Sequence, residues 1–116
     1  MSQTTITPVT DAKGMPLACH PEAIAAADRP RYRILMAKVK AAIAERSAAG
    51  AEYLFKLDRE AVTFEEATEW MTLERLCCPF LAMRLTAPSG QSHWLLTLTG
   101  PDGVKEVIDA ALPVTG

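Results

Sequence analysis

From Tyr32 to Ile43 apolar residues return every third or fourth position: Tyr32, Leu35, Met36, Val39, Ala42 and Ile43. That spacing lines one side of a helix. Asp28 stands before the run as a candidate cap, and Pro30 falls in the first turn, where proline is tolerated. Gly50 is a natural stop, so the pattern predicts a helix from about Pro30 to Ala48. A short helical turn is expected just upstream, in PEAIAAA after Pro21. Past Gly50 the period changes to two. Tyr53, Phe55 and Leu57 alternate with Glu52, Lys56 and Asp58, although Leu54 interrupts the polar face, and a strand is predicted. Thr63 followed three residues later by Glu66 is a capping box, and it opens a second helix with Ala67, Trp70, Met71, Leu73 and Cys77 on its inner side. Pro79 ends or bends that helix.

FLAMRLTA, with Leu81, Met83 and Leu85 on one face, predicts a second strand. HWLLTLT, with Trp94, Leu96 and Leu98 alternating, predicts a third. The short PSGQ turn between them makes an antiparallel hairpin. A last helix follows in TGPDGVKEVIDAAL, with Val104, Val107, Ile108 and Ala111 on its buried side. The expected order is helix, strand, helix, strand, strand, helix. This is an α+β fold, a two-layer sandwich in which helices cover one face of a three-stranded sheet. Residues 1–16, rich in Thr, Pro and small polar types, read as a flexible arm, and 17–116 as a single domain. The edges of so small a sheet suggest pairing with a second copy as a homodimer.

Composition narrows the function classes. Half the chain is hydrophobic (49%) against 22% charged, which favours a packed core over disorder. A net charge of -2 lacks the basic footprint of a nucleic-acid protein. No run has the length of a membrane span, and the N-terminus has no apolar signal core, so a cytoplasmic protein is expected.

The chemistry concentrates in LERLCCPFL, Leu73 to Leu81. Cys77 and Cys78 are adjacent, and Cys19 is the third cysteine. An odd count with two neighbours is a poor disulfide framework, and a reducing compartment with all three thiols free is the expectation. On a helix the two neighbours point about 100° apart, and Glu74 lies three and four residues before them, within reach of either. A helix C-terminus and a carboxylate both raise a thiol's pKa, whereas a bound cation ionises the thiols and complements the acid. The field that opposes a reactive thiolate therefore favours a soft ion: zinc, Cu(I) or mercury. Cys19, with His20 beside it, supplies the third ligand if the N-proximal segment folds onto the second helix. The spacing is not one of the established zinc patterns.

Two other readings stand beside this one. If a new helical turn began at Pro79, the cysteines would lie near a helix start, and Cys78 would become a redox or nucleophilic thiol with Arg75 stabilising its anion. Such a site would take a small thiol-reactive ligand. Alternatively the cysteines pack as small apolar groups in a structural or interaction module. The remaining signals have ordinary explanations: TGPDG is a strand-to-helix turn, and Arg29, Arg31 and Arg33 are a solvated face.

The run WMTLERLCCPFLAMRL, followed by HWLLTLTGPDGVKEVI, resembles a group of small uncharacterised bacterial proteins. Their signature is Glu-Arg-x-Cys-Cys-Pro-Phe, a Trp-Leu strand and Thr-Gly-Pro-x-Gly-x-Lys. The likeness covers about 100 residues, reaching upstream to LAC at Leu17 to Cys19. It implies that Cys19, Glu74, Arg75, Cys77, Cys78 and Pro79 matter together, and it suggests company with heavy-metal resistance functions. His20 lies outside the signature.

Overall fold

The computed structural model describes residues 20–101 and 103–112. The N-terminal arm expected over residues 1–16 lies outside them. Two 3-10 turns, Pro21–Ala23 and Ala26–Asp28, lead into α1 (Arg29–Ala42). Then come β1 (Ile43–Ala49), β2 (Glu52–Asp58), α2 (Phe64–Cys77), β3 (Ala82–Thr86), β4 (His93–Thr99) and α3 (Val104–Ala111). The fold is α+β with one antiparallel sheet, but the sheet has four strands in the order β1-β2-β4-β3. Both the expected three strands and the expected element order need correction.

The correction lies in IAERSAA. Its alanine, glutamate and arginine are good helix formers, and the sequence reading continued the first helix through them. The helix instead ends at Ala42, and Ile43 turns extended at ψ 106°. Pairing overrides propensity here: Ile43 lies opposite Leu57, Arg46 opposite Phe55 and Ala48 opposite Tyr53. A register shift between Ile43 and Glu45 marks a bulge. Gly50, read as a helix stop, is the first central residue of the hairpin turn, with φ 59°. Arg46 also ties β1 to α3. Its Nη1 lies 2.9 Å from Asp109 Oδ1, and the same oxygen accepts a 3.0 Å hydrogen bond from the Tyr53 hydroxyl.

The other elements follow the pattern closely. Tyr53, Phe55 and Leu57 are buried. The capping box closes both ways, Glu66 N donating to Thr63 Oγ1 and Thr63 N to Glu66 Oε1, each at 3.0 Å. Asp28 occupies the cap position of α1, but its side chain makes no capping bond. α3 begins at Val104 after Gly103 at φ 93°, so Pro101 belongs to the preceding turn.

Cross-strand register stacks the apolar rows. Leu96 of β4 lies between Phe55 and Leu85, and Leu98 between Tyr53 and Met83. Leu35 and Val39 of α1, Ala67 and Trp70 of α2, and Val104 and Ile108 of α3 share one core with them. Each fully buried Leu or Phe side chain contributes roughly 1.5–3 kcal/mol. Outside this core a second, smaller cluster forms where the N-proximal turns meet the end of α2.

Candidate metal centre

α2 ends at Cys77, and Cys78 is its cap, with its backbone N–H on Glu74 O at 2.7 Å. Leu81 N bonds back to Cys78 O at 3.1 Å, so the chain turns at exposed Pro79 rather than starting a new helix. The cysteines therefore occupy a helix C-terminus, where the dipole disfavours thiolate.

The second cluster is built from Ile24, Cys77 and Cys78, with Tyr32, Leu73, Phe80 and Leu81 packed around it. Both cysteines are 1% exposed. The first 3-10 turn brings Ile24 over them, fixed by the backbone bond His20 N to Cys77 O at 2.7 Å. Arg29 secures the same segment, its guanidinium donating to Ile24 O and Glu22 O at 3.1 and 3.2 Å.

One member of the cluster does not fit apolar packing. Glu74 is 3% exposed, and its carboxylate lies with the Cys77 and Cys78 sulfurs in a group whose ligand atoms are all within 4.8 Å of one another. The Tyr32 hydroxyl donates to Glu74 Oε2 at 2.8 Å. Beside it, a cavity of about 10 Å³ opens between Glu74, Cys78, Met36 and Trp70. The Trp70 indole N–H points at the Met36 sulfur, 3.1 Å away.

Burial pushes the Glu74 carboxyl above its ordinary pKa, against the pull of the Tyr32 hydroxyl, the Trp70 indole and, through its charge, Lys40. Burial also pushes the Cys77 thiol up, and the Glu74 charge adds to the shift. The Tyr32 hydroxyl is raised by the same two causes, burial first. The site thus resists negative charge while being built from groups that can carry it.

Cys77 is a free thiol, whereas Cys78 is disulfide-bonded. The expectation that all three thiols are free is overturned. Ring strain opposes a bond between neighbours, and the free Cys77 thiol shows that none forms here. Cys19 lies outside the described residues. The other expected participants are placed apart from the sulfurs. The His20 ring is half exposed and turns to Glu22, 3.3 Å away. Arg75 is exposed, in an open groove between α2 and β3 with Thr68 and Met83.

Tyr32 and Ile24 were not among the expected site residues. The phenol of Tyr32 was the available signal, because a hydroxyl in an otherwise apolar helical stripe needs a buried partner. Ile24 carried no signal beyond its hydrophobicity. The chain matches no protein-family model, no curated protein and no solved structure.

Proposed function

We propose that the protein, with its cysteines reduced, captures a soft metal ion through Cys77, Cys78 and Glu74, with Cys19 as a third thiol. The observation that carries this reading is the buried Glu74 carboxylate beside two buried sulfurs. Packing alone accounts for the cysteines but not for the acid, because a buried carboxylate that has the Tyr32 hydroxyl as donor but no ion-pair partner among the described residues is costly. A cation supplies the counter-charge. It would ionise the thiols and the acid together and reverse the pKa shifts that burial imposes. Ligands of a zinc-like ion stand about 3.5–4 Å apart, so this cluster would close by roughly an ångström at most. Thiolate donors favour Zn(II), Cu(I) or Hg(II) over hard ions. The raised Cys77 pKa and the bonded state of Cys78 both count against a standing nucleophilic thiol. A reducing cytoplasm is the compartment in which the donor set would be available.

Native mass spectrometry of the reduced protein with Zn(II), Cu(I) and Hg(II) tests the reading. One ion per chain is expected, lost in Cys77→Ser and Cys78→Ser and weakened in Glu74→Gln. Retention of the ion by the Cys77→Ser/Cys78→Ser double variant would refute it. An unchanged ion count in Cys19→Ser would remove Cys19 from the ligand set while leaving the other three.

A further inference from the structure

Two rungs join α1 to α2 at the edge of the cysteine cluster. The Tyr32 hydroxyl donates to Glu74, and four residues further along α1 the Met36 sulfur accepts from Trp70, which lies four residues before Glu74 on α2. Residues four apart on a helix are neighbours on one face. The thioether therefore stands one helical turn from the phenol and next to the acid. The Trp70 indole also pulls on the Glu74 carboxyl as a hydrogen-bond donor, so Met36 and Glu74 share one neighbour. Met36, Trp70, Glu74 and Cys78 border the same cavity of about 10 Å³, room for one occupant the size of a water molecule. Its other walls are apolar, Leu98, Ile108 and Leu112 among them. Met36 itself is half-buried, but its sulfur lies 3.1 Å from the indole nitrogen of a residue that is 1% exposed, so the sulfur points inward.

We infer that the Met36 thioether is a further donor to the ion and makes the reduced site selective for Cu(I). The inference rests on the soft-ion reading of that site and names which soft ion it takes. A thioether is neutral, polarisable and has no proton to lose. It joins a cation in a dry site without adding negative charge. Thioethers and thiolates together select Cu(I), whereas zinc draws its ligands from thiolate, imidazole and carboxylate. Met36 thus strengthens the hold on Cu(I) and adds nothing to the hold on Zn(II). When the sulfur turns a lone pair to the ion, the Glu74 carboxylate is the acceptor left for the Trp70 N–H.

The test compares the full chain with Met36→Leu, which keeps an apolar side chain of similar volume and removes the donor. Both proteins are reduced, desalted without oxygen and titrated separately with Cu(I) and Zn(II) against a chromophoric chelator. Met36→Leu is expected to bind Cu(I) at least about tenfold more weakly, the scale on which even the outer partners of a metal site register. Its Zn(II) binding should equal wild type. Copper-edge X-ray absorption on selenomethionine-labelled protein gives a second readout, because only a methionine ligand places selenium beside copper. A copper–selenium path is expected in wild type and should vanish in labelled Met36→Leu. Equal Cu(I) affinity in the two proteins, or no copper–selenium path in wild type, would overturn the role of Met36 and leave the soft-ion reading standing. Cu(I) and Zn(II) affinities that fall together would make Met36 a packing residue and overturn the selectivity. Binding of neither ion by wild type, nor of Hg(II), would overturn the soft-ion reading and this inference with it.

Discussion

Tyr32 on α1 and Glu74 on α2, 42 residues apart in sequence, meet through a 2.8 Å hydrogen bond at the edge of the cysteine cluster. It is a polar link across the packing of two helices. Tyr32→Phe keeps the ring and deletes the donor, leaving a buried carboxyl oxygen short of a partner. The cost expected is about 1–3 kcal/mol. Urea denaturation reads it as a lower midpoint at an unchanged slope. A midpoint equal to wild type would mean that water replaces the phenol.

Glu74 should also leave a signature in the pH dependence of the ion-free protein. Burial raises its folded pKa above the ordinary carboxylate range. Between the unfolded and folded pKa values the native state holds the proton that the unfolded state has lost, so stability from this group falls as pH rises through that window. Glu74→Gln carries no proton to lose and can still accept from Tyr32. It should match wild type on the acid side and gain relative to it as pH increases. Glu66 works in the opposite direction. Its pKa is pulled down to about 2, first by Lys38 and then by the Thr63 backbone, and its contribution disappears only as pH falls toward that value. Urea midpoints across a pH series for the two proteins separate these effects. A difference between them that stays flat with pH would remove the buried acid from the account.

The alternating strands, the Thr63–Glu66 cap and the turn at Pro79 were legible in the sequence because each is fixed by near neighbours. β1 was not. Its residues favour a helix locally, and only pairing with Tyr53, Phe55 and Leu57 makes them a strand. Such pairing has no local signal, and Gly50 suits a helix stop and a hairpin turn equally well. The same division runs through the site. Glu74, Cys77 and Cys78 share one turn of helix, so helical spacing brought them together on paper. Ile24 and Tyr32 arrive from other elements, and their places follow from how the N-proximal turns dock on α2.

Gly50 offers a direct check on that hairpin. A Cβ there would meet no atom within 4 Å, so steric contact is not the obstacle to substitution. The backbone is: φ 59° costs a non-glycine residue roughly 1–2 kcal/mol. Gly50→Ala should lower stability by about that amount, and Gly50→Asn by less, since asparagine tolerates the left-handed region. Thermal unfolding of the pair provides the comparison. A Gly50→Ala protein as stable as wild type would argue against the turn, and with it against β1 as the sheet's fourth strand.

Ile24 controls access to Cys77. The side chain is fully buried on both cysteines, and the free thiol beneath is 1% exposed. In the folded protein Cys77 should therefore alkylate far more slowly than an unhindered thiol, through local opening of the segment rather than direct attack. Truncating a buried isoleucine to alanine typically costs about 2–5 kcal/mol. If even about 2 kcal/mol of that falls on the contact between this segment and α2, the open population rises roughly thirtyfold. Ile24→Ala should accelerate Cys77 labelling by that order while leaving the global urea midpoint less affected. A rate that rises only in step with global unfolding would mean that the segment does not open on its own.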